Sequence, residues 1–221
     1  MRLPKINEKP WITYPLVSVD AAGHHTAGAK GFREAVLVRL FVIFWFLAFS
    51  AAPASATVIN GEVLRQNGNG KFALLDTSTP FSVGHDNFNT DHLYAFDEDQ
   101  NILLTEPIRV DIGGTNGVIP QGETVASHYV FFDSYTGIHE GYVDFDAPIL
   151  GIAALQDTLA ATDFLANNSV NYISTELRGL EPGDHVWIDP NDPFRLWVFW
   201  AGSSPGDYIR VFTEKSLGAM M

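Results

Sequence analysis

The stretch Gly141–Asp146, which reads GYVDFD, decides the fold because its side chains alternate between two faces. Successive side chains of a β-strand point to opposite sides, so Val143 and Phe145 share one face while Tyr142 and the two aspartates share the other. This alternation predicts a strand with one face in the core and one face in water. The stretch Arg195–Trp200 is apolar on both faces, which predicts a central or covered strand.

Segments with β-branched and aromatic residues recur along the chain, separated by clusters of Gly, Pro, Asn and Asp that are typical of turns. The turn Glu181-Pro182-Gly183-Asp184 places Pro and then Gly at its centre, as a type II turn requires. Thr77–Thr90 is the longest stretch predicted to be irregular. The predicted strands are 58–65, 71–76, 92–97, 102–112, 126–133, 139–147, 149–154, 184–188, 194–201 and 207–213. Their number and shortness predict an all-β fold, an antiparallel β-sandwich of jelly-roll type.

One segment departs from the strand pattern. Gln156–Asn167 reads QDTLAATDFLAN and carries apolar residues at helical spacing. Asp157 stands where an N-cap residue is expected. We therefore predict one short helix near 157–166, packed across an end of the sheets.

An export signal is predicted ahead of the β-rich part. Leu40–Phe49 is an uninterrupted run of apolar residues with Arg33 and Arg39 before it, and Ala54-Ser55-Ala56 follows as an A-x-A cleavage site. A helix of this length spans roughly 15 Å, about half of the hydrocarbon core of a bilayer. Cleavage at Ala54 to Ala56 is therefore favoured over the alternative, an uncleaved N-terminal anchor.

These boundaries divide the chain into three parts. We expect a signal peptide at 31–56 and a single β-sandwich domain at 57–221, located outside the cell or in the periplasm. Residues 1–30 do not fit a signal peptide, and we interpret them as a mis-assigned extension ahead of the true translation start. The alternative is an unusually long n-region.

The composition limits the partners of the domain. Residues 57–221 carry seven Lys and Arg against 23 Asp and Glu, a net charge of −16. Because phosphate binding needs clusters of Lys and Arg, no binding to nucleic acid is expected. The chain has no cysteine, which excludes disulfides, thiolate metal sites and thiol catalysis. No transmembrane segment is expected after residue 56.

No catalytic residue is predicted. The seven histidines show neither H-x-H nor H-E-x-x-H spacing, and no serine stands in G-x-S-x-G. Asp144 and Asp146 share a strand face at about 7 Å, within the range of roughly 5 to 10 Å that separates the two carboxyls of a glycosidase. A solvated strand face explains the same pair.

A calcium site is the one cofactor site that the sequence suggests. Asp97, Asp99 and Asn101 place oxygen ligands at alternate positions, and Ca²⁺ takes six to eight oxygens. Ile102 and Ile108 stand where an EF-hand loop needs Gly and Glu, so the loop is not an EF-hand. The alternative is an exposed polar turn between two strands.

Aromatic residues are concentrated in the last third of the chain. They are Trp187, Trp197, Phe199, Trp200 and Tyr208. Large aromatic side chains dominate the cores of sandwiches, and most of these are expected to be buried. Exposed aromatic rings stack on sugar rings, so an aromatic residue on the outward face of a sheet would indicate a ligand.

Four stretches of the chain are distinctive. They are Leu93–Gly113 (LYAFDEDQNILLTEPIRVDIG), Gly141–Ile152 (GYVDFDAPILGI), Leu177–Asp184 (LRGLEPGD) and Ser204–Thr213 (SPGDYIRVFT). Together they resemble an uncharacterised group of exported bacterial proteins, many of which end in a PEP-CTERM-type sorting tail. The resemblance implies export and an extracellular or envelope role, and it implies no activity or site residue. This chain lacks the Pro-Glu-Pro motif of the tail, which favours a secreted form without an anchor.

The function expected from the sequence is therefore a non-enzymatic β-sandwich module that works outside the cytoplasm in binding or structure. A polysaccharide or an envelope component is the expected partner. The alternative is a secreted hydrolase that acts on glycans through a carboxylate pair. A third hypothesis is calcium-dependent assembly or adhesion through the acidic loops.

Overall fold

The computed structural model describes residues 57–65, 68–134, 136–203 and 206–215. Within them the strands are β1 (Val58–Arg65), β2 (Phe72–Leu74), β3 (Phe81–Val83), β4 (Leu93–Asp97), β5 (Ile102–Leu103), β6 (Ile108–Arg109), β7 (Ile112–Gly113), β8 (Val118–Ile119), β9 (Thr124–Phe132), β10 (Thr136–Phe145), β11 (Ile149–Ala153), β12 (Val170–Tyr172), β13 (His185–Asp189), β14 (Asp192–Ser203) and β15 (Asp207–Glu214). One α-helix, α1, spans Gln156–Ala161, and 3-10 turns follow at Asp163–Leu165 and Thr175–Leu177.

Two sheets face each other and form the sandwich. The smaller sheet has the antiparallel order β1-β10-β14-β13, and the larger sheet has the order β2-β4-β9-β15-β11-β7, with β5 also paired to β9. The core between them contains Val143 and Phe145 of β10, as the alternation at 141–146 predicts, and Leu196, Val198 and Trp200 of β14. The prediction of an all-β, sandwich-like fold is confirmed.

The larger sheet is buried on both of its faces. Its second face carries a separate apolar cluster that includes Phe96, Tyr129, Phe131 and Phe212. This face is covered by Leu159 and Leu165 of the helical segment and by residues of the short pairs β3–β12 and β6–β8. Strand β9 is consequently buried from Val125 to Phe132.

The strand boundaries differ from the prediction where short strands meet irregular backbone. The predicted strand 102–112 is divided into β5, β6 and β7. Pro107 lies between the first two of these strands, and proline supplies no backbone N–H for a ladder. The stretch Thr77–Thr90, predicted to be irregular, contains β3, which pairs in parallel with β12. The pair β2–β4 is also parallel.

A helix forms in the predicted segment, but α1 ends at Ala161 and a 3-10 turn replaces its predicted second half. The segment packs on the outer face of the larger sheet rather than across an end of the sheets, and its cap also differs. Its N-cap residue is Leu155, whose side chain has no oxygen, and Asp157 lies in the first turn instead. Asp111, in the loop before β7, instead holds the chain at the point where it enters the helix. Its Oδ2 accepts the backbone N–H of Ala154 at 2.7 Å and of Leu155 at 2.9 Å, and it also accepts the hydroxyl of Thr158.

A buried ion pair ties the helical segment to the larger sheet. Arg210 on β15 is fully buried and donates to both carboxylate oxygens of Glu98, at 2.6 and 2.9 Å. The same guanidinium donates to the carbonyl of Leu159 at 3.1 Å and to Oδ1 of Asp163 at 3.2 Å. A buried pair with this many hydrogen bonds fixes the position of the elements that it joins.

Some of the predictions lie outside the described residues. These are the extension at 1–30, the signal peptide at 31–56 and its cleavage site at Ala54 and Ala56. Within the described ranges, the structure contains no helix with the length and apolar character that a membrane span requires.

Candidate functional site

The outer face of the smaller sheet carries a row of aromatic side chains that crosses its strands. Tyr142 on β10 lies directly opposite Trp197 on β14, and Trp197 lies opposite Trp187 on β13. Glu62 on β1 lies opposite Tyr142 and ends the row. Because side chains alternate along a strand, these four residues share the face that points away from the core. We call Tyr142, Trp197 and Trp187 the aromatic row.

The rings of the aromatic row contact one another. The ring centres of Trp187 and Trp197 are 6.1 Å apart, and their planes differ by 11°, so the two indoles are stacked. Tyr142 packs edge-on against Trp197 at 5.4 Å. Trp187 keeps 39% of its surface exposed, which is unusual for tryptophan in a folded protein. The row therefore presents apolar ring surface to solvent.

Hydrogen bonds fix the orientation of two of the rings. Nε1 of Trp197 donates to Oδ2 of Asp189 at 2.8 Å, and this hydrogen bond lowers the pKa of Asp189. The hydroxyl of Tyr142 donates to Oε2 of Glu62 at 3.0 Å, which raises the pKa of Tyr142. Rings held in this way lose little conformational entropy when a ligand stacks on them.

A cation of the protein lies at one end of the aromatic row. The guanidinium of Arg195 lies 4.0 Å from the ring centre of Tyr142 and 5.8 Å from that of Trp197. Asp144 accepts from Nε and NH2 of Arg195 at 2.7 and 2.9 Å, and these hydrogen bonds raise the pKa of Arg195. Both planar groups of this ion pair lie on the outer face beside the row.

The sequence predicts part of this site and misses part of it. The prediction that most of the five aromatics are buried is wrong. Trp200 and Tyr208 are buried, whereas Trp187, Trp197 and Phe199 point outward. The concentration of aromatics in the last third of the chain does not point to Tyr142, although the alternation at 141–146 places it on the outward face. What no single strand reveals is the register that aligns it with Trp197.

The structure does not bring the three residues of the predicted calcium site together around one position. Asp97 accepts the N–H of Val58 at 3.0 Å and the hydroxyl of Thr57 at 2.7 Å, and its Oδ1 lies 2.7 Å from Nδ1 of His128. Burial acts to raise the pKa of Asp97, but these contacts lower it overall. Asp97 therefore joins β1 to the larger sheet, while the other two residues lie in the loop that follows β4.

Asp99 and Asn101 have different surroundings from Asp97. Burial, followed by the nearby charge of Glu98, raises the pKa of Asp99. Asn101 has a left-handed backbone with φ of 57°, a conformation that asparagine tolerates in turns. Among the described residues, no group of three or more His, Asp or Glu side chains is arranged to hold a metal ion. The calcium site stays a prediction.

The carboxylates of the predicted pair Asp144 and Asp146 both have partners. Asp144 binds Arg195, and Oδ1 of Asp146 accepts the backbone N–H of Thr57 at 2.8 Å. Both are on the outer side of β10 or at its end, as the alternation predicts. Each carboxylate therefore has a structural contact that accounts for its position.

One buried cluster has the connectivity of a catalytic triad. Nδ1 of His128 lies 2.7 Å from Asp97, and Nε2 lies 3.0 Å from the hydroxyl of Thr213. His128 and Thr213 are both fully buried, and the imidazole packs against the ring of Phe145. A substrate has no access to this hydroxyl, so the cluster stabilises the contact between strands. Its members come from three separate strands, which is why no sequence spacing reveals it.

A groove of about 1060 Å³ lies between the segment 102–109 and the helical segment. Leu103, Leu155 and Phe164 line it and are all more than half exposed. Asp111 also lines the groove, but its carboxylate accepts the N–H groups of Ala154 and Leu155. The groove lacks the fixed and hydrogen-bonded ring geometry of the aromatic row, which makes the row the stronger candidate.

In comparisons with known proteins, no family model matches the chain, and no curated protein or solved structure matches it significantly. The class that fold and site define is an all-β sandwich with an ordered aromatic row on the solvent face of its smaller sheet.

Proposed function

We propose that this chain is an exported, non-enzymatic β-sandwich module that binds a polysaccharide through the aromatic row. The observation that carries the proposal is the alignment of Tyr142, Trp197 and Trp187 on one solvent-facing sheet surface. A pyranose ring has apolar C–H faces and a polar rim of hydroxyls. Aromatic rings bury such faces, and nearby carboxylates accept the hydroxyls.

The dimensions of the row suit an extended chain of sugars. Neighbouring strands of a sheet are about 4.8 Å apart, so three strands carry the row over roughly 10 Å. The polysaccharide would lie across the strands, with successive rings over Trp187 and Trp197. The planes of these indoles differ by only 11°, so successive sugars of one chain can meet the two rings in the same orientation.

Export is the part of the proposal that rests on the sequence. The apolar run Leu40–Phe49 and the A-x-A site at Ala54 to Ala56 support it, as does the resemblance to exported proteins. A glycan partner agrees with this location, because polysaccharides are abundant outside the cytoplasm. The excess of acidic residues disfavours phosphate-bearing partners.

The direct test is sedimentation of the full chain with insoluble polysaccharides, with calorimetry on soluble oligosaccharides of those that bind. We expect Trp187→Ala and Trp197→Ala each to weaken binding roughly tenfold or more, since each removes a stacking ring. Phe164→Ala is the matched control, because Phe164 is 60% exposed and lies away from the row. Loss of binding in the control alone, or in none of the variants, would contradict the proposal.

The same samples test the hydrolase alternative. A hydrolase releases soluble reducing sugar from the polysaccharide with time, whereas a binding module leaves the polymer intact. Sustained release that Asp144→Asn abolishes would replace the binding proposal with a carboxylate-dependent hydrolase. We expect no release.

A further inference from the structure

The surroundings of Tyr142 show how this sheet face holds a cation. Arg195 lies over the Tyr142 ring at 4.0 Å, and Asp144, two residues further along the same strand, binds its guanidinium. An aromatic ring at one position and a carboxylate two positions later therefore hold a positive charge together. Cations over aromatic faces are attracted by the ring quadrupole, and the carboxylate adds a direct charge.

Strand β13 carries the same pair of groups at the same spacing. Trp187 is followed two residues later by Asp189, and both lie on the outer face beside Trp197. A register shift between Ile188 and Asp189 accompanies the hydrogen bond from Trp197 to the Asp189 carboxylate. β10 and β13 thus flank β14 with one ring and one carboxylate each.

The two pairs differ in whether the protein supplies the cation. Among the described residues, the cations that lie over aromatic rings are Arg195, over Tyr142 and Trp197, and Arg210, over Tyr129. Asp189 takes part in none of the salt bridges between described residues. The pair on β13 therefore offers an exposed indole and a carboxylate that accepts hydrogen bonds from Trp197 and from the backbone N–H of Asn191. The charge of Arg195 acts on this carboxylate only from beyond salt-bridge distance.

The charge around the aromatic row also favours a positive ligand. Glu62 and Glu140 lie on the same outer face of the sheet, and residues 57–221 carry a net charge of −16. A glycan of uronic acids would meet repulsion along its whole length. The hydrogen bond from Trp197 lowers the pKa of Asp189, so its carboxylate stays ionised in mildly acidic solution.

We infer that the polysaccharide is a polymer of amino sugars, whose free ammonium groups bind between the Trp187 ring and the Asp189 carboxylate. This inference rests on the proposed function. The apolar face of one sugar stacks on the indole of Trp187, and the next sugar lies over Trp197. The ammonium group of the first sugar then takes the position beside Asp189 that corresponds to the position of the Arg195 guanidinium beside Asp144.

The test compares two soluble oligosaccharides of equal length and linkage, one of glucosamine and one of N-acetylglucosamine. Calorimetry with the full chain at about pH 6 keeps both the amines and the carboxylates charged. We expect roughly three- to tenfold tighter binding of the glucosamine chain, as one exposed cation–π contact with a carboxylate provides. Acetylation removes the charge and should remove this preference.

Asp189→Asn is the decisive variant. The amide oxygen can still accept the N–H of Trp197, so the ring keeps its support while the charge is lost. We expect this variant to bind both oligosaccharides equally. Glu123→Gln is the matched control, because it removes one charge from an exposed position outside the smaller sheet and should keep the preference.

The outcomes separate the inference from the proposed function. Equal binding of both oligosaccharides by the unmodified chain overturns the ammonium site but leaves a glycan-binding module. An equal loss in Asp189→Asn and Glu123→Gln shows general attraction of a polycation and also overturns it, as does equally tight binding of an oligolysine of the same charge. If no oligosaccharide or polysaccharide binds, the proposed function itself fails.

Discussion

At the scale of single residues, Asp207 shows how burial changes the chemistry of a carboxyl group. Its side chain is 2% exposed at the start of β15. Burial, together with a hydrogen bond to Asp184 and its negative charge, raises the pKa of Asp207 to about 9. Asp184 in turn accepts the backbone N–H of Ala201 at 2.9 Å and of Glu181 at 2.8 Å, which fixes it beside Asp207.

This arrangement predicts a pH dependence of stability. In the unfolded chain the pKa of an aspartate is about 3.9. Between about pH 3.9 and pH 9, Asp207 is therefore protonated in the folded protein and ionised in the unfolded chain, so folding takes up a proton. The stabilisation from protonated Asp207 is fully present below the pKa of the unfolded state. It is lost as the pH rises through the pKa of the folded state. One proton gives a slope of at most about 1.4 kcal/mol per pH unit.

Asp207→Asn should reduce this slope, because the amide does not titrate. Urea denaturation at several pH values between about pH 5 and pH 8 gives the free energy of unfolding of each protein. The slopes of this free energy with pH are then compared between the variant and the unmodified chain. Asp76→Asn is a suitable control, since Asp76 lies in an exposed loop and its pKa is lowered. An unchanged slope in Asp207→Asn would show that Asp207 is ionised in the folded protein.

At the scale of elements, α1 depends on a residue that lies outside it. Asp111 accepts the N–H of Ala154, which precedes the helix, and the N–H of its N-cap residue Leu155. Asp111→Ala should therefore reduce the free energy of unfolding by about 1 to 2 kcal/mol, because two backbone N–H groups lose their acceptor. Chemical denaturation followed by far-UV circular dichroism checks this value.

The comparison variant is Asp157→Ala, which removes the residue that the sequence predicts as the helix N-cap. Asp157 lies in the first turn, where a negative charge contributes only a few tenths of a kcal/mol up to about 1 through the helix dipole. We expect a clearly smaller loss than in Asp111→Ala. A larger loss of stability in Asp157→Ala than in Asp111→Ala would contradict this prediction.

At the scale of the whole molecule, one sheet belongs to two cores. The larger sheet packs against the smaller sheet on one face and against the helical segment on the other, and β9 contributes Val130 to the first cluster and Phe131 to the second. Neither cluster can lose its packing without exposing a face of β9. The two cores should therefore unfold as one cooperative unit.

Hydrogen exchange in increasing denaturant tests this cooperativity. We compare amides of β1 on the smaller sheet, β12 in the outer layer and β9 between them. We expect all three sets to begin exchanging through global unfolding at the same denaturant concentration. Separate openings of the outer layer would show that the buried pair Arg210 and Glu98 does not couple it to the sheet.

The sequence predicts the sandwich because alternation is a property of a single strand. Val143 and Tyr142 are assigned to opposite faces by their neighbours alone, and the helix at 156–161 is recognised by its spacing. The aromatic row requires the pairing register of three strands, and the register of β10 with β14 depends on contacts between residues more than 50 positions apart. The outer layer is missed because β3 and β12 have three residues each, too few to show a period.

The stacked indoles have an optical consequence. Between residues 57 and 215 the chain has three tryptophans, of which Trp187 and Trp197 form the aromatic row and Trp200 is buried behind it. Indoles 6.1 Å apart and nearly parallel share their excited states, so their emission and their ultraviolet ellipticity depend on what lies over them. The protein thus carries an intrinsic fluorophore at its candidate site, and a glycan that binds as proposed should change the light that the row itself emits.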